Sequence, residues 1–265
     1  MKIGFIGLGN MAKAIIGGIL QSGLAVPSDI CGSAKTAATR ESVAREFGID
    51  TAGSNAAVAA DSDVLFLAVK PVFFPGVIEE IKDSVREGAL IISVVAGKTI
   101  GYLAESFGRK DLHIVRTMPN TPALVGEGCT GLCFDSAVTE EERDLACALC
   151  GSFGKAIVVE ERLMDVVGAV SGSSPAFVFL FLEALADGAV AGGMPRKQAY
   201  EFAGQAVLGS AKLLLETGKH PGELKDMVCS PGGTTIEGVK ALEEGGLRAA
   251  VMNAMEATIE KTRKL

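Results

Sequence analysis

Lys2-Ile3-Gly4-Phe5-Ile6-Gly7-Leu8-Gly9-Asn10-Met11-Ala12, running on into Lys13-Ala14-Ile15-Ile16-Gly17-Gly18-Ile19-Leu20, decides the fold. The apolar run Ile3 to Ile6 reads as a short strand buried on both faces. It leads directly into G-x-G-x-x-A, after which Ile15, Ile16, Ile19 and Leu20 recur at helical spacing. Strand, glycine turn and helix in that order form the context in which the dinucleotide fingerprint carries meaning. Gly7 permits the tight turn, Gly9 lets the backbone approach a pyrophosphate, and Ala12 is small enough for helix and strand to pack. Ile6, Leu8, Asn10 and Met11 complete the loop, whose free amides at the helix start would face phosphates.

Outward from this unit, short β-branched runs alternate with helix-compatible stretches, the pattern of βαβ units and a parallel sheet. Strands are expected over 2–6, 29–32, 64–69, 90–94, 114–118, 130–134 and 156–159, with connections long enough to hold helices. Beyond Arg162 the strand signal stops and the period becomes helical, punctuated by Gly and Pro. Pro175 and Pro195 suit helix starts, Gly192-Gly193 and Gly218 suit stops, giving helices near 175–191, 196–217, 221–228, 235–245 and 247–263. The expected architecture is an α/β dinucleotide-binding domain of the Rossmann type, 1–160, followed by an all-helical domain, 161–265.

At 265 residues the length suits about 1.8 domains of average size, in keeping with that division. Lys plus Arg total 25 against 32 acidic residues, a net charge of -7, which speaks against a nucleic-acid partner. Mean hydropathy is high, +0.36. The apolar runs 89–96 and 176–182 nevertheless fall short of about 18 uninterrupted residues, so no membrane span is expected. Asn10 and Lys13 interrupt the apolar start, so no export signal is read there and the six cysteines are expected as reduced thiols in the cytoplasm.

The second strand ends at Cys31-Gly32-Ser33, where an NAD site usually carries Asp or Glu for the ribose hydroxyls. Ser33, Lys35, Thr36 and Arg40 stand there instead, hydroxyls and positive charges that suit a 2′-phosphate. NADPH is therefore the expected cofactor, with NADH as the alternative, although Lys35 and Arg40 also fit as solvated helix charges. Three further loops leave strand carboxyl ends, where open α/β sheets hold ligands. They are Ala68-Val69-Lys70-Pro71, Val94-Val95-Ala96-Gly97 and Met118-Pro119-Asn120-Thr121-Pro122. Their small residues suit a flat ring lying against backbone.

In the helical half, Ser171-Gly172-Ser173-Ser174-Pro175 and Ser230-Pro231-Gly232-Gly233-Thr234-Thr235 each precede a helix. Amides of Gly233, Thr234 and Thr235 would carry the partial positive charge of a helix start, a candidate cradle for a carboxylate. Ordinary Ser or Thr capping would look the same in sequence. The only histidines, His113 and His220, lie outside these loops, which disfavours a dehydrogenase using a His acid. Thr235 could instead bond a substrate nitrogen already protonated, since an iminium accepts hydride without a strong protein acid. The helix 175–191 is apolar around nearly its whole circumference, so oligomerisation is expected, most simply as a homodimer. Gly188, Gly192, Gly204 and Gly209 in helix interiors suggest closely approaching backbones.

Together Gly7 to Ala12, Ala68 to Pro71, Met118 to Pro122, Ser171 to Pro175 and Ser230 to Thr235 strongly resemble the pyrroline-5-carboxylate reductase family over nearly the whole chain. The Ser230 to Thr235 motif, continued by Ile236-Glu237, is the specific one; the first is shared by many dehydrogenases. The resemblance implies NAD(P)H-dependent reduction of 1-pyrroline-5-carboxylate to L-proline. It implies Thr235 at the ring nitrogen, the amides of Gly233 and Thr234 at the carboxylate, Gly232 among the substrate-binding residues, Ser171, Ser173 and Ser230 lining the pocket, and Glu161 as a ligand-proximal acid. It also implies Asn55 as a contact to the cofactor ribose, and interlocked dimers often assembled into decamers. Ser174 stands where many members have Gly, and Met227 where some have an amide side chain.

Two other functions remain open. A 3-hydroxyacid-type dehydrogenase shares the two-domain plan but normally places a Lys in its helical domain, and none lies between Ser171 and Gly193. A regulatory protein would bind NADPH without turnover. Cys129, Cys133, Cys147 and Cys150 have spacings that zinc could use, but their strand and helix patterns suit small buried hydrophobes better, and no metal is expected. Lys70 is read as orienting the cofactor loop.

Overall fold

The computed structural model describes residues 1–264 and divides into two compact units, Met1–Ser173 with the chain from Thr258, and Ser174–Ala257. The first unit holds one eight-stranded sheet. Its strands are β1 (Ile3–Ile6), β2 (Ile30–Ser33), β3 (Asp50–Ala52), β4 (Val64–Leu67), β5 (Leu90–Ser93), β6 (His113–Met118), β7 (Gly128–Phe134) and β8 (Gly154–Val158). They lie in the order β3-β2-β1-β4-β5-β6-β7-β8. Helices α1 (Asn10–Ser22), α2 (Ala37–Phe47), α3 (Asn55–Asp61), α4 (Phe74–Ile81), α5 (Ile100–Phe107), α6 (Glu140–Gly151) and the short α7 (Met164–Val167) intervene.

Alternate strand residues feed opposite faces of the sheet, as the two-residue period of a strand requires. Ile3, Phe5, Val64, Phe66, Leu90 and Ile92 pack with α1 and α6 residues such as Ile15, Ile19 and Leu149. Ile6, Leu65, Leu67 and Ile91 pack with Val58, Phe74, Ile78 and Leu103 from α3, α4 and α5. Phe5 and Phe66 stack with ring centroids 4.7 Å apart.

Two features differ from the expected sheet. The edge strand β3 carries only Asp50-Thr51-Ala52, with no apolar run to mark it. The sheet is mixed rather than parallel, because β7 runs antiparallel to β6 while β8 is again parallel to β7. The β6–β7 link holds only a 3-10 turn at Thr121–Val125, too short for the crossover that a parallel neighbour needs.

The second unit is helical: α8 (Ser174–Ala191), α9 (Arg196–Thr217), α10 (Pro221–Val228), α11 (Thr234–Glu244) and α12 (Leu247–Thr262), the last running on beyond Ala257. Every bound lies within one residue of the expected one. Within this unit α8 packs on α9, but the side chains buried are only the alanines Ala186, Ala199 and Ala203. Phe179 and Leu180 are 62% and 64% exposed. Among the described residues no atom of another element comes within 4 Å of a Cβ built on Gly188, Gly204 or Gly209, so no close approach to these glycines is made there.

Segment Glu161–Ser173 belongs compactly with the sheet, since Met164 is fully buried against Met118 and Cys133. Continuous helical structure over Glu161–Ala191 also has the length and mean hydropathy, 1.6, to cross a membrane, with 11% of that window buried. A search for uninterrupted apolar residues passes over this stretch because Ser and Gly interrupt it.

Candidate active site

The sheet order reverses between β1 and β4, with β2 and β3 to one side and β5 and β6 to the other. The carboxyl ends of these strands open a crevice at that point. Gly7 turns the chain there with φ 94°, its N–H donating to Ser33 O at 3.0 Å. A Cβ on Gly7 would stand 2.5 Å from Ala68 O, so only glycine fits. Gly9 differs: it is the N-cap of α1 at φ -78°, and a Cβ there would meet nothing within 4 Å. Its open side is the space a ligand on the α1 amides would occupy, and no side chain caps those amides.

A cleft of about 410 Å³ continues from this turn. Ile6, Gly7, Ser33, Lys35, Asn55 and Val69, from four separate loops, line it. Gly53, Phe73, Gly76, Val77 and Glu80 also line it and were not foreseen. Gly53 follows the unmarked strand β3, and the rest sit on or before α4, whose sequence shows only an amphipathic period. Ser33 is buried and its Oγ–H donates to Asn55 Oδ1 at 2.6 Å. Asn55 in turn donates to Glu80 twice, from Nδ2 at 2.8 Å and from its backbone N–H at 3.3 Å. Arg40 Nη1 donates to Ala34 O at 2.6 Å, and its Nη2 lies 4.0 Å from a Cβ built on Gly53. Lys35 is exposed at the rim.

The loops after β4, β5 and β6 lie along the same sheet edge. Ala68 and Val69 are half-buried beside Gly7, Lys70 is exposed, and Pro71 starts a 3-10 turn. Val95 is buried, Ala96 and Gly97 partly so. Met118 packs with Cys133 and Met164, with Ala96 and Ile100 against them. Asn120 is buried and its amide serves the protein, donating to Ser171 O at 3.0 Å and accepting from Cys129 N–H at 2.8 Å. Glu161 lines a second cleft of about 590 Å³ with Ile100 and Cys133. Its Oε1 accepts the Ile100 N–H at 2.7 Å and pairs with Arg116 at 3.3 Å, while Arg116 reaches Asp165 at 3.2 Å. Burial pushes the Cys133 thiol up to about 12 and raises Cys150 and Cys147 as well. Among the described residues no group of three or more His, Cys, Asp or Glu is placed to hold a metal ion.

In the helical unit, α11 starts as α1 does, at a glycine N-cap in extended conformation, Gly233 with φ -79°, and with no side-chain cap. Thr36, Ser54, Thr99 and Thr139 cap their helices by side-chain oxygen, so α11 is not an ordinary Ser or Thr cap. Gly232 has φ 65°, Gly233 N–H donates to Ser230 O at 3.0 Å, and a Cβ on Gly233 would stand 2.3 Å from Ser230 Oγ. The loop is thus built on glycine for steric reasons. Ser230, Thr234 and Thr235 are exposed. Ser171 and Ser173 close a π-helical turn, Gly168–Ser173, in the first unit, where Ser171 Oγ donates to Cys129 O at 3.4 Å.

A glycine turn at the switch point, uncapped α1 amides and a multi-loop cleft define a dinucleotide-binding protein of the oxidoreductase class. Residues 2–97 match the family described as NADP oxidoreductase, coenzyme F420-dependent, and 161–265 match pyrroline-5-carboxylate reductase dimerisation. Pyrroline-5-carboxylate reductase of Escherichia coli (strain K12) is 51% identical over 264 residues, 100% of this chain and 98% of that protein. The solved pyrroline-5-carboxylate reductase of Coxiella burnetii superposes with TM-score 0.91 at 36% identity, covering 99% of this chain and 97% of that one. The Plasmodium falciparum pyrroline carboxylate reductase, solved with NADP bound, gives 0.89 at 33% identity, covering 100% and 97%. The chain belongs to the pyrroline-5-carboxylate reductase family, as its motifs imply.

Proposed function

We propose that the chain reduces 1-pyrroline-5-carboxylate to L-proline with NADPH as preferred cofactor and NADH as the alternative. The observation that carries this is the second uncapped, glycine-initiated helix, α11, within the motif most specific to the family. Identity to a named reductase across both halves of the chain supports it.

The residues at hand fit the cofactor: a Cβ would fill the space that Gly9 leaves open. Ile6, Gly7, Leu8, Gly9, Asn10 and Met11 cradle the pyrophosphate on the α1 amides. Ser33, Lys35 and Asn55 take the adenosine ribose, with Lys35 the charge nearest a 2′-phosphate. Ala68, Val69, Lys70, Pro71, Val95, Ala96, Gly97 and Met118 flank the nicotinamide, while Asn120 steadies that wall from inside the protein. When bound, the cofactor supplies a hydride.

Gly232, Gly233 and Thr234 hold the substrate carboxylate at the start of α11, where the helix field favours an anion. Thr235 bonds the ring nitrogen and fixes which face of the C=N bond is presented. The nitrogen already bears its proton in the iminium form, so adding hydride to the adjacent carbon gives the secondary amine without a protein acid. Ser230 adds a hydroxyl to the carboxylate cradle, and Ser171, Ser173 and Glu161 are the first unit's own candidates for contact with substrate. No metal takes part. The alternatives, a 3-hydroxyacid dehydrogenase and a silent NADPH-binding regulator, lack an observation in their favour.

Residues 1–160 bind the cofactor, and 161–265 bind substrate and dimerise. Two copies cover each other's α8, with further assembly into a decamer, in the cytoplasm, and with neither membrane nor nucleic acid as partner. The dimerisation family that matches this half supports that reading over a membrane span. The test follows NADPH absorbance with and without pyrroline-5-carboxylate, then repeats the assay with NADH. Substrate-dependent oxidation yielding proline is expected, faster with NADPH; cofactor binding without turnover would overturn the reaction in favour of a regulator.

A further inference from the structure

We infer that Glu80 on α4 determines how this enzyme discriminates NADH from NADPH, by fixing the hydrogen-bond polarity of the ribose corner. The inference rests on the reading that the 410 Å³ cleft holds the cofactor's adenosine ribose. The acid that ends β2 in many NAD sites is absent here, since β2 closes on Ser33. A carboxylate nonetheless lines the same cleft, delivered from a helix later in the chain.

Its effect follows from donors and acceptors alone. A carboxylate only accepts, so Glu80 draws the Asn55 amide nitrogen and backbone N–H toward itself, at 2.8 and 3.3 Å. The Asn55 amide oxygen must then face the other way, where it accepts the Ser33 hydroxyl at 2.6 Å. The nearest alternative acceptor for that hydroxyl is Phe5 O, at 3.4 Å. With either oxygen the Ser33 proton is spent inside the protein. What Ser33 offers the ligand is a lone pair.

A lone pair accepts from a ribose hydroxyl, the group at the 2′ position of NADH. It has nothing to give a 2′-phosphate, which is acceptor-only and carries negative charge toward a corner already holding the Glu80 carboxylate. Arg40 bonds Ala34 O through Nη1 alone and keeps its charge, with Nη2 4.0 Å from a Cβ built on the cleft residue Gly53, so Arg40 and Lys35 at the rim are the counter-charges for the phosphate. Glu80 thus pulls toward NADH, Lys35 and Arg40 toward NADPH, and the ratio of the two activities measures the balance. Glu80 touches Asn55 and lines the cleft; in this role it is a positioning and specificity residue rather than a catalytic one.

Glu80→Gln keeps the shape and removes the charge and the fixed polarity. In the purified full-length protein we expect the NADPH-to-NADH ratio of kcat/KM to rise about three- to tenfold, the weak end of charged hydrogen bonds for so exposed a carboxylate. Cofactor dissociation constants from fluorescence titration, without substrate, should shift by the same ratio. Equal losses with both cofactors would mark a merely structural glutamate and overturn the inference, as would a ratio that falls. Ser33→Ala, nearly isosteric in its buried position, provides the second variant should the first fail to fold. It should weaken NADH more than NADPH, and the reverse order would overturn the inference. Failure of either cofactor to bind the wild-type protein would instead discard the cleft as a cofactor site.

Discussion

Gly7 and Gly9 belong to one motif, yet the structure gives them opposite liabilities, and a pair of alanine variants tests the site through that contrast. At Gly7 the backbone has φ 94°, a conformation that costs an L-residue about 1–2 kcal/mol. The new Cβ would also stand 2.5 Å from Ala68 O, a backbone atom that cannot swing away because Ala68 N–H is itself bonded to Ile6 O at 2.8 Å. Displacing β1 from β4 at the centre of the sheet raises the expected loss to about 2–4 kcal/mol, a large share of a typical domain's stability. At Gly9 φ is -78° and no protein atom lies within 4 Å of the added methyl, so Gly9→Ala should shift stability by no more than about 0.5 kcal/mol. The methyl instead enters the space assigned to the pyrophosphate, and NADPH affinity should drop at least about tenfold, or about 1.4 kcal/mol. Urea unfolding followed by circular dichroism, without cofactor and at one fixed protomer concentration, reads the first quantity; NADPH fluorescence titration reads the second. A Gly7→Ala midpoint equal to wild type would refute the steric argument. Wild-type affinity in Gly9→Ala would remove the pyrophosphate from the α1 start.

Thr235→Ala should lower kcat/KM for pyrroline-5-carboxylate by about 10- to 150-fold, the worth of a hydrogen bond to a charged group, with NADPH affinity unchanged; wild-type kinetics in an intact oligomer would end its assignment to the ring nitrogen. Arg116→Met leaves Glu161 and Asp165 without their shared partner. Their side chains are 36% and 30% exposed, so water relieves part of the loss and about 1–3 kcal/mol of destabilisation is expected in urea, none being the refuting result. Burial raises the Glu142 carboxyl, but the Thr139 N–H and the His113 ring, whose Nδ1 lies 2.6 Å away, outweigh it and leave the group below its usual 4.5. A lowered carboxyl contributes stability above its unfolded value and loses it as pH falls through the folded one. Glu142→Gln should therefore cost about 1 kcal/mol near neutral pH, and the gap to wild type should close as pH falls through the lowered folded value; a gap independent of pH would contradict this.

What could be read from sequence was whatever a local pattern records. Gly7 to Ala12 marked β1, its turn and α1 because strand, glycine and helical period follow one another within a few residues. The helical half was bounded almost to the residue because Pro195, Gly218 and Pro221 act where they stand. The antiparallel turn of β7 was missed although its cause, the short link through Thr121–Val125, lay in plain view; the regularity of the preceding βαβ units outweighed it. Glu80 was illegible for a different reason. It is separated from Asn55 by 25 residues and reaches the cleft only once α4 docks beside α3, so no local period betrays it. The same holds for the Glu161 to Ile100 bond, which spans 61 residues.

The stretch Glu161–Ala191 shows how hydropathy and function part company. By length and composition it could cross a membrane, and Phe179, Leu180 and Phe181 are exposed as such a helix would leave them. Lipid, however, would also have to accept Glu183 and Asp187 on the same helix, the latter paired to Arg196 at 2.6 Å with both side chains largely exposed. Charged groups at that depth cost several kcal/mol unless protein or water meets them. A second copy of the chain can offer apolar side chains to Phe179 and Leu180 and water at the rim to the Asp187–Arg196 pair, which lipid cannot do together. At about 1.5–3 kcal/mol for each large apolar side chain covered, a few such contacts supply stability comparable to that of a small domain. The glycines at 188, 204 and 209, where among the described residues no other element comes within 4 Å of an added Cβ, then have a use, since a facing helix can approach closely there. The apolar surface and the spare glycines are answered by the same partner, which is why the helical half is best understood as one half of an interface.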